Sequence, residues 1–247
     1  MRKTIFIVLI FSAFAAYPTL ADIPNGSIEI ETGPVWQSMN DVKIPNNENG
    51  TRFSLYNLAG KGPWLAGRMY VTLNIAPKHD LRLLVAPLDI NEKSVLYKTV
   101  RFAGKTFSPG PVDTRYKFNS YRLTYRYLYY AQRWKLRIGF TAKIRDAIIE
   151  LKRDNHSAHK KDLGFVPLLH LSGEYSFTTR TGFLFDLDAL AGGPGRAEDL
   201  ALKLFCDPST KWRLAAGYRT VEGGADVEEV YTFAWLHYAT LSLTYRF

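Results

Sequence analysis

The sequence predicts an all-β protein: a single antiparallel transmembrane β-barrel of about twelve strands, or ten if two of the shorter segments are loops. Three observations carry that reading. After residue 22 no window shows a long, capped apolar stripe of helical period; apolar and aromatic residues instead recur at every second position, with charged or small residues between them. Hydrophobic residues make up 47% of the 247 positions and charged ones 22%, which excludes a helical membrane bundle, since that needs repeated apolar stretches of about 20 residues. The apolar face is also unusually aromatic, at 14% Phe, Trp and Tyr over the chain, and that suits girdles at two membrane interfaces.

The first element is a targeting signal. Arg2 and Lys3 precede the apolar run Thr4 to Ala16, and Thr19-Leu20-Ala21 offers small residues for cleavage. This layout is that of a secretory signal peptide, too short and wrongly flanked for a spanning helix. The expected organisation is therefore a signal peptide over 1–21, cleaved near Ala21, and one barrel domain over 22–247. Removing two basic residues lowers the net charge from +9 to +7. The lone Cys206 excludes an intramolecular disulfide framework and a thiolate zinc cluster.

Breaks at turn-forming clusters divide the remainder into candidate strands 27–37, 51–59, 65–76, 80–90, 94–107, 115–130, 134–151, 164–177, 181–190, 198–206, 211–221 and 229–247. Tyr121 to Tyr127, Lys135 to Arg145 and Leu241 to Phe247 alternate without interruption. Gly60-Lys61-Gly62-Pro63 and Asp207-Pro208-Ser209-Thr210 read as short turns, whereas Asn40 to Gly50 and Asp154 to Gly164 read as longer polar connectors. With the first strand rising from the periplasm, the longer connectors mostly fall outside, and Pro77 to Asp80 becomes a short outer connector. A secreted sandwich would share the alternation. The length of the strands and the rings on their apolar face (Tyr121, Tyr125, Tyr127, Tyr129, Phe183, Phe185) favour a lipid-facing band instead, and closure removes the edge strands of so large a sheet.

The pattern resembles that of bacterial outer-membrane β-barrel proteins. The terminal strand ends Leu243-Thr244-Tyr245-Arg246-Phe247, similar to the C-terminal signal read by the barrel-assembly machinery, with Tyr245 and Phe247 as its reading points. The stretch Tyr218 to Tyr231 resembles uncharacterised barrels of this size. The resemblance implies a bacterial outer-membrane location, with membrane lipid, lipopolysaccharide and the assembly machinery as partners.

If the apolar face meets lipid, the alternate positions look inward. Arg122, Thr124, Arg126, Lys135, Arg137, Thr141, Lys143 and Arg145 would form a basic wall; His170, Ser172, Glu174, Asp186 and Asp188 an acidic one. Glu29, Glu31, Arg52, Arg68, Arg82, Arg213, Arg219 and Arg246 add to the lumen. Dry burial of so many unpaired ions would cost several kcal/mol each, so the lumen is either wet or cross-paired. A wet lumen with an excess of positive charge implies a small porin-like channel for small anionic or polar solutes, similar to the twelve-stranded porins for acidic oligosaccharides. A cross-paired lumen implies a closed structural or interaction barrel.

A third reading is a lipid-hydrolysing rim. Asn40 and Asp41 after the first strand resemble part of a lipid A deacylase pattern, and His156, Ser157 and His159 stand after the seventh, giving Asp41 and His156 as candidate catalytic residues. Asn-Asp is also what a turn prefers, and the histidines with Lys160 and Lys161 suit a solvated loop tip. No metal, calcium or phosphate-loop motif is present, so no cofactor is expected. His237 falls on the lipid face, which requires a bulge there or a place high at the outer interface. A pI near 9.5 with charge spread over many exported strands points away from nucleic acid.

Overall fold

The computed structural model describes residues 26–193 and 195–247; the signal segment and its cleavage point lie outside the described residues. The chain runs β1 (Gly26–Lys43), β2 (Phe53–Ser54), the helical turn α1 (Leu55–Leu58), β3 (Trp64–Ala76), β4 (His79–Ala86), β5 (Asp89–Leu96), β6 (Val100–Phe102), β7 (Lys105–Phe107), β8 (Gly110–Ala131), β9 (Trp134–Arg153), β10 (His156–Ser176), β11 (Thr181–Gly192), β12 (Gly195–Cys206), β13 (Trp212–Val227) and β14 (Val230–Arg246).

Ten strands close an antiparallel barrel in the order β1, β3, β4, β8 through β14, and back to β1. At the seam Ser27 stands opposite Arg246 and Lys43 opposite Tyr231, and the backbones of Gly26 and Phe247 exchange hydrogen bonds at 3.0 Å. β4 and β5 are one wall in two pieces. Both follow the same register along β8, interrupted at Pro87, which has no N–H to donate.

This is the ten-stranded form of the expected barrel, with two of the twelve candidate segments outside the wall. Segment 51–59 supplies only β2 and α1, and the end of 94–107 is the separate hairpin β6–β7. Both carry alternating apolar residues, but Phe53, Leu55, Leu58, Val100, Phe102 and Phe107 turn inward and are buried. Alternation records that one face is dry and does not say whether that dryness is lipid or core. Losing 51–59 also reverses the chain direction after it. The connector at Pro77 and Lys78 therefore lies at the end that holds Gly26 and Phe247, with the turns after β8, β10 and β12. The segments 44–63 and 97–109 both lie at the opposite end. Two expected loops there are in fact strand: Asn40 and Asp41 belong to β1, and His156 to Lys161 open β10 after a tight turn at Asp154, whose φ is +49°.

Outward side chains form an apolar belt around the wall. Leu65 is 83% exposed, Phe140 67% and Leu204 62%. Rings edge it at the terminal end, where Trp212 packs on Tyr245 at 4.8 Å between centroids and Trp134 on Tyr175 at 5.1 Å. At the opposite end, the inturned loop residues meet Val42, Ile90, Leu151 and Leu236 in a dry apolar dome. Loop 60–63 is pinned to the wall: Gln37 N–H donates to the Lys61 carbonyl at 3.0 Å. Gly62 has φ +93°, and a Cβ there would meet the Val35 carbonyl at 2.6 Å, so a side chain would push the loop away.

Candidate functional site

The inward charges gather under the dome in stacked tiers, because every strand delivers alternate residues to the lumen. In the tier next to the dome, Asp199 accepts from Arg68 at 2.7 Å, from Arg122 at 2.6 Å and from Arg219. Glu31 accepts from Arg219 at 2.9 Å and from Lys203, whose ammonium also meets Glu29 at 2.8 Å. Asp188 accepts from Arg122 at 2.7 Å and from the Thr141 hydroxyl at 2.8 Å, and His170 Nδ1 lies 2.8 Å from it. The Tyr70 hydroxyl accepts from Arg68 at 3.0 Å and Arg219 at 2.9 Å. Four cations (Arg68, Arg122, Lys203, Arg219) thus meet four carboxylates (Glu29, Glu31, Asp188, Asp199).

Below that tier, Arg82 pairs with Asp186 and Arg126 with Asp80. Nearer the terminal end, Glu174 bridges Arg137 at 2.9 Å and Arg213 at 2.7 Å. Asp207, in the turn after β12, accepts from Arg213 at 2.7 Å and Arg246 at 3.1 Å. Burial alone would raise the Asp207 carboxyl, but the hydrogen bonds and charge of Arg213 and Arg246 outweigh it and hold the group below its usual range.

The tiers divide the lumen unequally. On the terminal side a vestibule of about 1310 Å³ extends from Lys78 and Lys211 at the turns to Arg82 and Asp186. On the dome side, among Arg68, Arg122, Leu88 and Tyr238, there is a void of about 20 Å³, room for roughly one water. Between them Asp188, Asp199 and Arg219 are 1–2% exposed.

The structure therefore sets these inward charges in three cross-barrel groups: Arg122 with Asp188 in the tier beneath the dome, Arg82 with Asp186, and Arg126, Arg137 and Glu174 linked through Asp80. Lys143 stands apart. It is 4% exposed, its ammonium lies 5.1 Å from the Phe118 ring centroid, and among the described residues no carboxylate pairs with it. Arg145 pairs with Asp162 above the tiers and is part-exposed. Arg52 is a correction: it leaves the lumen, with a side chain 56% exposed, and pairs with Asp41 at 2.7 Å, because its segment is loop rather than barrel strand.

Asp41 and His156 are not brought together. Asp41 is held by Arg52 beside Tyr231, whereas His156 packs against Phe107 at 4.8 Å, with β3, β4, β8 and β9 between their strands. Tyr245 and Phe247 lie side by side at the seam, ring centroids 6.5 Å apart. His170, Asp186 and Asp188 bring ligand atoms within 4.8 Å of one another. Those atoms are already committed: Asp186 to Arg82, and the two His170 nitrogens to Asp188 and Ser172. Sequence reasoning missed Asp80, Asp199, Lys203 and Tyr70. Tyr70 and Asp80 share the phase of Arg68 and Arg82, which were recognised as inward, so parity was the available signal there; Asp199 and Lys203 lie at alternate positions of β12, a strand on which no inward residue was named.

No protein-family model matches the chain, and no curated protein matches it. Among solved structures, the outer membrane protease OmpT from Escherichia coli aligns with a TM-score of 0.52 at 10% identity, covering 90% of this chain and 97% of that one. An outer membrane channel from Pseudomonas putida F1 gives 0.40 at 10% identity, covering 93% and 100%. Neisserial surface protein A gives 0.37 at 11% identity, covering 90% and 97%. The likeness to the protease is one of fold: a closed antiparallel β-barrel of the bacterial outer-membrane kind.

Proposed function

We propose that the protein is an integral barrel of the bacterial outer membrane whose lumen is sealed, so that it acts through its surfaces rather than as a through pore. The observation that carries this is the charge-matched ionic tier stacked directly beneath a dry apolar dome. A pore needs continuous water. Here an ion would have to break several charge-assisted pairs and then cross apolar side chains, two barriers in series.

The belt supports membrane residence. Soluble proteins rarely expose contiguous apolar patches beyond a few hundred Å², whereas outer-membrane barrels need an apolar band about 25 Å tall with ring girdles. The ten residue steps from Tyr245 to Trp235 on tilted β14 rise about that far. Short turns, Gly26 and Phe247 then face the periplasm and the dome faces outward, where exposed Arg52 and Lys61 would meet lipopolysaccharide phosphates. The seam at Tyr245 and Phe247 is where the assembly machinery would read the last strand.

One observation favours the porin-like alternative. The cation-rich vestibule on the terminal side could admit small anionic solutes if the tiers part. Proteoliposomes decide between the two. The sealed reading expects a heat-modifiable barrel that floats with vesicles and does not let them swell in small anionic or neutral solutes. Swelling at a rate proportional to protein content would overturn it.

A further inference from the structure

Outside the lumen, a second constellation faces the belt. β1 carries a bulge between Gln37 and Met39, so Ser38 has no partner opposite it on β14, and its side chain is exposed. Ser38 keeps the outward phase of Trp36, and the extra residue shifts the phase of the chain that follows. Ser38 Oγ lies 2.7 Å from His237 Nε2, and His237 Nδ1 is hydrogen-bonded to the Tyr218 hydroxyl. Trp36 stacks on the imidazole at 5.9 Å and Trp235 packs at 5.3 Å. Trp235 is fixed in turn by its indole N–H donating to Thr220 Oγ1 at 2.6 Å.

We propose that Ser38 and His237 form a nucleophile and base that cleave an acyl ester of an outer-leaflet lipid, with Tyr218 holding the imidazole. With Nδ1–H donating to the Tyr218 oxygen, Nε2 is left to accept from the serine hydroxyl, the arrangement an activated nucleophile needs. Geometry sets the substrate class. His237 stands eight residues above Tyr245 on β14, about 20 Å up a band of roughly 25 Å. That is the depth of the ester linkages of outer-leaflet lipids, where acyl chains end and water begins. Trp36 and Trp235 are part-exposed beside the dyad and can flank an acyl chain. Lys61, whose carbonyl is tied to the residue before Ser38, brings a cation to the headgroup side.

In the first step the Ser38 oxygen bonds to the ester carbonyl carbon as its proton passes to His237 Nε2. The carbon–oxygen bond to the lipid alcohol breaks, and the departing alcohol takes that proton. Water, activated by the same nitrogen, then adds to the acyl-serine and releases the fatty acid, restoring the hydroxyl. The only co-reactant is water.

The assignment rests on the outer-membrane reading, so the test separates the two. Refolded protein in detergent micelles is treated with a fluorophosphonate, which reads the dyad without a membrane. Mass spectrometry is expected to find the adduct on the Ser38 peptide, absent in Ser38→Ala and formed about 100-fold more slowly in His237→Gln. Mixed micelles of diacyl phosphatidylethanolamine or of lipid A then identify which ester releases fatty acid. Tyr218→Phe is expected to lower kcat about tenfold with KM unchanged, a split that lost packing would not give. Heat-modifiable wild-type protein that gains no adduct and frees no fatty acid from either lipid would overturn the proposal and leave the dyad as an interfacial anchor. Failure to float with vesicles, with labelling intact, would instead defeat the membrane reading.

Discussion

Asp199 accepts three guanidinium groups at once, so its charge holds together cations that would otherwise repel each other in a dry space. Removing one partner from such a set leaves buried charge uncompensated. Asp199→Asn is expected to destabilise the barrel by about 3–5 kcal/mol, read as the shift in the urea midpoint of unfolding in micelles. Lys143 should respond with the opposite sign. Its ammonium lies over the Phe118 ring without a paired carboxylate among the described residues, and Lys143→Met exchanges an unpaired charge for apolar volume, with an expected gain of about 1 kcal/mol or more in the same assay. Much of this layer was legible in the sequence, since strand parity alone places Arg122, Arg126, Glu174 and Asp188 inward. The partners were not, because parity identifies a face and is silent on which residue meets which across a lumen. Ser38 was hidden for a different reason: it keeps the outward parity of Trp36 but falls just past the expected strand end at residue 37, and the phase shifts only after it.

At the scale of elements, the clearest divergence between sequence and structure lies in 51–59 and the end of 94–107. Both alternate as wall strands do, yet they fold inward as the dome. The distinguishing property is where the apolar face goes, and that depends on the lumen they cover rather than on their own residues. β9 and β10 show the reverse case. Their polar tips, including His159, Lys160 and Lys161, read as loop by composition but continue the ladder to Arg153 and His156. The dome depends on Phe102 and Phe107, both fully buried, with Phe53 edge-on to Phe102 at 5.4 Å. Phe102→Asp is expected to release the outer segments and make 44–63 and 97–109 cleavable by trypsin within minutes. The barrel wall should stay heat-modifiable, because its ladder does not pass through β6 or β7. Simultaneous loss of the folded gel species would show the dome and the wall to be one cooperative unit.

For the molecule as a whole, the net charge of +9 on the full chain gives no warning of how closely the lumen is balanced. The tier beneath the dome pairs its cations with carboxylates from strands far apart in sequence, and the surplus collects in the vestibule and at the outer rim. Burying ions in this way contributes little net stability compared with apolar packing, but it fixes the cross-section of the barrel and denies water a continuous path. The surfaces left to act are the belt, the dome and the vestibule. Single-channel recording in planar bilayers tests the sealed lumen most directly. Wild-type protein, inserted and verified as folded, is expected to leave the baseline current silent across the applied voltage range, whereas discrete, reproducible steps from the unmodified chain would contradict it.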